Sequence, residues 1–251
     1  MSSVSTLRDK GRCYSLDRLI LPQLEYCNPT IKNLSEVILI AGGRKPNVDW
    51  FNEVKMDRSI YCIDRGIDFC REIDRFPELL IGDFDSAEIE SVQWALDKGV
   101  KIERHSVDKD LTDTQLALNR VNDNSFAILT GVFGGRLDHL FSILFTCANS
   151  QIKSCLTDER ETVLFVSSGE SIIIEFKTEP LALSLLPISN ICKGVTIDGV
   201  HWSLQHVDLT QSIPSAISNR VESKTVNISV KEGKLAVYLC FAEYFAENVT
   251  I

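Results

Sequence analysis

The sequence lacks any apolar stretch approaching the roughly 20 residues that a helix needs to cross a bilayer, and it has no low-complexity tract or long run of one charge. Positive charge is scarce: 26 Lys and Arg stand against 35 Asp and Glu, a net charge of −9. General binding to nucleic acid depends on clustered cations that displace counterions, so no nucleic-acid partner is expected. The N-terminal MSSVSTLRDKGRCYSLDRLILPQLEYC has no sustained apolar run before charges interrupt it. No secretory signal and no membrane partner are therefore expected, and a cytoplasmic setting is. None of the eight cysteines forms a C-x-x-C pair, and several, such as Cys62 in SIYCID and Cys240 in AVYLCF, sit inside apolar runs. Reduced, structural thiols are expected, not a zinc site or a disulfide framework. Also missing are the Gly-Lys-Ser/Thr of a Walker loop and the GxGxxG of a dinucleotide fold, which argues against a dehydrogenase.

What is present falls into two rhythms. EVILIAGG (36–43), SIYCIDRG (59–66), ELLIGDFDS (78–86) and SFAILTGVFGG (125–135) each read as a buried strand ending in Gly or Asp. Helical periodicity lies between them, as in AEIESVQWALDKG (87–99) and TDTQLALNRVN (112–122). Strand, loop, helix, strand predicts a parallel sheet covered on both faces, with ligands bound beyond the carboxyl ends of its strands. After about residue 158 the pattern turns to β-rich segments with short polar turns: ETVLFV, ESIIIEF, LALSLLPI, GVTIDGVHWSL, TVNISV and KLAVYLCF. SVKEGKLAV (229–237) reads as a hairpin. The expected fold class is α/β: a parallel-sheet, Rossmann-like domain over residues 1–158, then an antiparallel β-sandwich or barrel over residues 159–251. The segment LILPQLEYC (19–27) reads as an added element packing on the sheet.

Aspartates gather at the strand ends. In GDFDS (82–86), Asp83 and Asp85 are two apart, so an extended segment would point both the same way. Such a pair is a hard oxygen site suited to magnesium, while a polar turn with Ser86 or Asp85 capping the next helix would need only one acid. In DKDLTDTQ (108–115), Thr112 and Gln115 predict a capping box, with Asp113 in the first helical turn and Asp110 just before it. Both could converge on one ligand, although acids are also favoured at a helix start for structural reasons alone. In TGVFGGRLDH (130–139), Gly131, Gly134 and Gly135 lead from a strand into an amphipathic helix, offering N–H groups to phosphate oxygens. Arg136 adds a cation, and Asp138 either orients it or caps the helix; His139 reads as a hydrogen-bonded surface residue. AGGRK (41–45) is a further Gly-basic loop of lower specificity.

GDFDS, KDLTD and TGVFGGRLDH, in this order, resemble the signature segments of thiamin pyrophosphokinases, and GVHWSL (199–204) and SAISNR (215–220) resemble later segments of that family. The resemblance runs from about residue 36 to the C-terminus. It implies an enzyme that transfers pyrophosphate from ATP to the hydroxyl of thiamin, giving thiamin diphosphate and AMP. Residues 1–158 would then form the nucleotide- and magnesium-binding catalytic part, and residues 159–251 the thiamin-binding and dimerisation part. Asp83, Asp85, Asp110 and Asp113 would gather Mg2+ and the polyphosphate, with Asp113 the choice for general base. Gly131, Gly134, Gly135, Arg136 and Asp138 would hold the nucleotide. Trp202 would stack on thiamin, and Ser218 and Asn219 would bond its aminopyrimidine edge, with Asp64 nearby. A homodimer with sites at the subunit interface is implied as well. Read without the resemblance, a strand Trp is more often core and Ser-Asn more often a turn.

One departure stands out. The family commonly carries Asp-Gly-Gly where this chain has Asp64-Arg65-Gly66. Arg65 would leave Gly66 alone to make any tight turn, and would contact phosphate or face solvent. Two other readings remain: a catalytically inactive nucleotide- or thiamin-binding protein, and a magnesium-dependent phosphatase using Asp83-Phe84-Asp85. The phosphatase reading lacks the usual Thr or Val at Ala87 and a later paired-acid motif.

Overall fold

The computed structural model describes residues 18–30, 35–106 and 110–242. In chain order the elements are β1 (Arg18–Ile20), β2 (Leu24–Cys27), β3 (Ser35–Ile40), α1 (Val48–Lys55), β4 (Ser59–Ile63), α2 (Gly66–Glu72) and β5 (Leu79–Gly82). Then come α3 (Ile89–Asp97), β6 (Lys101–Arg104), α4 (Asp113–Leu118), β7 (Ser125–Thr130), α5 (Leu137–Asn149) and β8 (Lys153–Thr157). The rest is β: β9 (Glu161–Val166), β10 (Ser171–Phe176), β11 (Ala182–Pro187), β12 (Ile191–Asp198), β13 (Leu204–Thr210), β14 (Thr225–Ser229) and β15 (Leu235–Cys240).

A nine-stranded sheet in the order β11-β15-β9-β8-β7-β3-β4-β5-β6 forms the spine of the molecule. From β8 to β6 its neighbours are parallel, and from β8 outward through β9, β15 and β11 they are antiparallel. The apolar runs make central strands because both faces are covered. In β3, Ile38 and Ile40 join α1 and α2 through Phe51, Ile67 and Phe69. Their neighbours Val37 and Leu39 face the other way, toward α4 and α5, through Leu118 and Ile143. The expected two-sided cover is therefore present.

A second, six-stranded sheet, β1-β2-β10-β14-β12-β13, is antiparallel throughout. Its inward residues Ile172, Ile174, Val226 and Ile228 share a core with Leu164, Val166, Val237 and Leu239 of the larger sheet. The sandwich is thus built from the second sheet and the antiparallel end of the first.

Local signals and sheet membership part company in two places. The LILPQLEYC segment supplies β1 and β2, which pair onto β10 as the edge of the second sheet. The segment SVKEGKLAV is not a hairpin: β14 pairs with β10 and β12, whereas β15 pairs with β9 and β11. Its turn residues carry the chain from one layer to the other, and the chemistry that reverses a chain within a sheet also reverses it between sheets. Among the cysteines, Cys62, Cys70, Cys147, Cys155, Cys192 and Cys240 are free, but Cys27 is disulfide-bonded, which corrects the reading of all eight as reduced.

A buried amide ties these layers together. Gln23 Nε2 donates to Thr157 Oγ1 (3.0 Å), Thr162 Oγ1 (3.0 Å) and the Asp158 carbonyl (3.1 Å), and Gln23 Oε1 accepts from Trp50 Nε1 (2.8 Å). The β1–β2 turn is thereby bonded to the β8–β9 turn and to α1. Gln23→Leu removes four hydrogen bonds at once and leaves the buried Trp50 Nε1 without its acceptor, and should lower the unfolding free energy by about 2–4 kcal/mol in a urea titration. A loss within about 0.5 kcal/mol would mean that this network adds no net stability.

Candidate functional site

The carboxyl ends of β3, β4, β5 and β7 lie side by side in the parallel sheet, so the loops that follow them share one edge. Asp64, after β4, adopts a left-handed φ of 47° and turns its carboxylate toward the loop after β5. Asp64 Oδ1 accepts from Asp83 N (3.1 Å) and Phe84 N (3.3 Å). Gly82 makes this possible. Its φ is 147°, and a Cβ there would fall 1.8 Å from Asp64 Oδ1. Glycine stands in GDFDS because a carboxylate fills the space of its side chain.

Asp83 and Asp85 are not side by side on an extended segment, as their spacing suggested. Phe84 between them is buried at a left-handed φ of 66°, so the chain folds over and Asp85 N donates to Asp83 Oδ1 (3.1 Å). Neither Asp85 nor Ser86 caps the next helix: α3 begins at Ile89, with Glu88 as an N-cap that makes no side-chain bond. The helix carrying Asp113 does match its sequence signal. Thr112 accepts from Gln115 N, and the Gln115 side chain returns to Thr112 N, a complete capping box.

Asp113 and Asp83 each act on Asp64. Asp64 is pushed up to about 7, first by burial, then by the charge of Asp113, with Asp83 and a direct hydrogen bond to Asp113 adding to it. Asp85 lies in the same loop as Asp83, and Asp110 is exposed on the segment leading into α4. Lys109 of KDLTD lies outside the described residues. Among the described residues no three His, Cys, Asp or Glu side chains converge as a ready-made ion site. The donor set nevertheless suits magnesium: its members are hard carboxylate oxygens, and the charges of Asp113 and Asp83, which with burial push Asp64 up, are what a cation would relieve.

The two glycine loops are locked together. Gly43 N donates to Gly131 O (2.6 Å) and Arg44 N to Phe133 O (2.6 Å), while Gly131 holds a φ of 68°. Carbonyls of the second loop therefore face the first. The N–H groups of Gly134, Gly135 and Arg136 donate to no described residue. The cations are largely committed. Arg44 binds the buried Asp158 (2.6 Å) and Glu161, Lys45 pairs with Glu72, and Arg136 pairs with Asp138 (2.6 Å). Asp138 thus orients Arg136 and is held down at about 2 by it. Sequence reasoning missed Arg104, whose guanidinium lies 5.1 Å from the centre of the Phe84 ring, beside the aspartate loop. Only the strand end at Arg104 could have signalled it.

In the sandwich, Trp202 is 56 % exposed, so it is not a core residue. It is mounted by Asn219, whose Oδ1 accepts from Trp202 N (3.1 Å) and whose Nδ2 donates to Trp202 O (2.9 Å). Arg220 lies over the indole at 5.6 Å, and His201 meets it edge-on. Ser218 has a left-handed φ of 54°, with its N–H bonded to Ser184 Oγ. Asn219 thus spends most of its bonding capacity on holding Trp202, leaving one N–H for any other partner.

Fold and site together define a two-part α/β protein, with a carboxylate cluster and glycine loops at the strand ends of its sheet and an exposed aromatic mount on its sandwich. Residues 52–156 match the family model "Thiamin pyrophosphokinase, catalytic domain", and residues 171–235 match "Thiamin pyrophosphokinase, vitamin B1 binding domain". Together the two models span more than half of the chain, which belongs to the thiamin pyrophosphokinase family. Thiamine pyrophosphokinase 1 of Oryza sativa subsp. japonica is 26 % identical over 164 residues, which cover 61 % of this chain and 62 % of that protein. The match thus spans about three fifths of the curated relative. Among solved structures, thiamine pyrophosphokinase from Bacillus subtilis has a TM-score of 0.71 at 22 % identity, covering 83 % of this chain and 100 % of that one. Thiamin pyrophosphokinase from Candida albicans has a TM-score of 0.70 at 17 % identity, with 83 % and 90 % covered. At these identities the structures establish the shared fold.

The Gly82–Asp64 contact can be tested against Gly99, which also has positive φ but whose added Cβ would meet nothing within 4 Å. Gly82→Ala should cost about 2 kcal/mol more than Gly99→Ala in paired thermal melts. Equal losses would mean that Asp64 swings aside at no cost.

Proposed function

We propose that this chain is a thiamin pyrophosphokinase, transferring pyrophosphate from ATP to the hydroxyl of thiamin to give thiamin diphosphate and AMP. The observation that carries this reading is the meeting of Asp64, Asp83 and Asp113 at the edge where the glycine loops end, in a chain that matches both the catalytic and the vitamin B1-binding models. In the reaction the thiamin hydroxyl oxygen bonds to the β-phosphorus of ATP, the bond from that phosphorus to the α,β-bridging oxygen breaks, and AMP leaves with that oxygen. Asp113 accepts the hydroxyl proton, from a helix start whose capping box fixes its direction. Asp64 holds the Asp83–Phe84 backbone in place and is a positioning residue.

Magnesium would be held by Asp83, Asp85, Asp110 and Asp113, and when bound it would neutralise charge on the polyphosphate. The undonated N–H groups of Gly134, Gly135 and Arg136 suit phosphate or ribose oxygens, with Gly131 shaping the turn and Asp138 aiming Arg136. Trp202 presents an open indole for the cationic thiazolium or the pyrimidine ring, with Ser218 and the remaining Asn219 N–H beside it.

A homodimer with sites at the subunit interface follows from the same reading. It is supported by the exposed Leu111, Leu137 and Phe141 around α4 and α5, and by the exposed Trp202 and Ile217 of the sandwich. No helix of the described residues is long and apolar enough to cross a membrane. The free thiols support a cytoplasmic setting, with the Cys27 disulfide as the exception.

Purified chain with ATP, magnesium and thiamin should release AMP only when thiamin is present, with thiamin diphosphate identified by mass. Chelation of the metal should stop the reaction, and Asp85→Asn or Asp113→Asn should each lower kcat by about 100-fold or more. Bound ligands without turnover would favour the inactive binding protein, and a phosphorylated Asp83 would favour the phosphatase. Separately, Trp202→Ala should raise the KM for thiamin roughly tenfold with little change in the KM for ATP. An unchanged KM for thiamin would remove Trp202 from the substrate site.

A further inference from the structure

Arg65 stands at the turn between β4 and α2, and the structure accommodates it without distortion. Its backbone is ordinary right-handed, with φ −66° and ψ 0°. The left-handed residue of the turn is Asp64, so the expectation that Gly66 alone makes the turn does not hold. Gly66 is required for space instead: a Cβ there would lie 2.0 Å from the Ile40 carbonyl oxygen.

The Arg65 side chain crosses from the end of β4 to the first glycine loop. A Cβ built on Gly42 would fall 2.0 Å from Arg65 Cγ and 2.7 Å from its Cδ. The arginine stem therefore lies directly on the Gly42 backbone, in space that only glycine leaves open, and this seat limits where the guanidinium can point. That guanidinium is exposed, and among the described residues it has no ion pair and no hydrogen-bond acceptor. The contrast with its surroundings is sharp, since Arg44, Lys45 and Arg136 of the two glycine loops are each paired with a carboxylate. The unpaired guanidinium extends from a stem seated on the first glycine loop, which is itself bonded to the second glycine loop. Its five donors in a planar fork match the oxygens of a phosphate chain.

We infer that Arg65 is a phosphate-binding residue of this chain, contacting the β- and γ-phosphates of the nucleotide at the carboxylate edge. The inference rests on the reading of that edge as a nucleotide polyphosphate site, and it adds a contact made by this chain's own sequence. Gly42 is then a positioning residue, whose missing side chain gives the Arg65 stem its seat.

The test is calorimetric titration of the full chain, in the presence of magnesium, with ATP, AMP and inorganic tripolyphosphate. Arg65→Gln should weaken ATP and tripolyphosphate about 10- to 100-fold while AMP changes little, and Arg65→Lys should recover part of the loss. Gly42→Ala, which displaces the stem but keeps the charge, should weaken ATP in the same direction and add little to Arg65→Gln in the double variant. Unchanged ATP and tripolyphosphate binding in Arg65→Gln overturns the inference, as does an equal loss of AMP, which would move the contact to the α-phosphate or beyond. Binding of ATP that depends on Arg65, without thiamin-dependent AMP release, would sustain the phosphate contact while removing the diphosphotransferase reading. Failure of the unaltered chain to bind either ATP or tripolyphosphate overturns the contact.

Discussion

The ion pair between Arg44 and the buried Asp158 is the constraint on which the arrangement of the site depends. Arg44 belongs to the first glycine loop, and its backbone N–H is bonded to Phe133 of the second. Its side chain reaches Asp158 at the turn between β8 and β9, the point where the sheet changes from parallel to antiparallel. The other oxygen of Asp158 accepts the N–H groups of Arg160 and Glu161, and its carbonyl receives Gln23 from the N-terminal strands. Through its carboxylate and its carbonyl, Asp158 therefore anchors the two linked glycine loops, the sheet transition and the β1–β2 turn. Leaving such a group buried without its cation costs about 3–5 kcal/mol, a large share of a typical domain's stability. The arginine of AGGRK is thus a structural anchor, and the charge offered to ligands comes from other residues.

Much of the catalytic half could be read from the sequence because its signals are local. Apolar runs ended by Gly or Asp gave β3, β4, β5 and β7, and the Thr112–Gln115 pair marked the start of α4 to the residue. What escaped was set by partners distant in sequence. Nothing near Leu24 says that β2 pairs with β10, and nothing in SVKEGKLAV says that its two ends belong to different sheets. The Asp64 bonds to Asp83 N and Phe84 N were hidden for the same reason, and with them the left-handed Phe84 that separates Asp83 from Asp85. Period-two reasoning fails where a tertiary hydrogen bond reshapes the backbone.

The sandwich half shows the reverse. Most of its strands were legible, β13 excepted, but the character of Trp202 was not, since an aromatic residue in a β-rich segment is more often buried. The structure leaves it exposed because the chain from Gly199 to Ser203 leaves the regular ladder and is clamped to Asn219 and Arg220 by backbone and amide bonds. Trp202 is pinned at its main chain and its ring is flanked by Arg220 and His201, so an exposed aromatic is held with little conformational freedom.

The unbroken nine-stranded sheet has a consequence for how such a chain can be divided. The two family models part between residues 156 and 171, which invites treating each half as a portable module. Sheet pairing contradicts that picture: β9, β15 and β11 continue the spine outward from β8, and β1 and β2 from the chain's start complete the opposite layer. A gene fragment ending at the boundary would strip β8 of its neighbour and bare an apolar strand edge, the kind of surface that recruits other chains into aggregates. Grafting or exchanging parts within this scaffold would therefore have to respect strand partnership, and seams placed in loops that join strands of different sheets would do least damage.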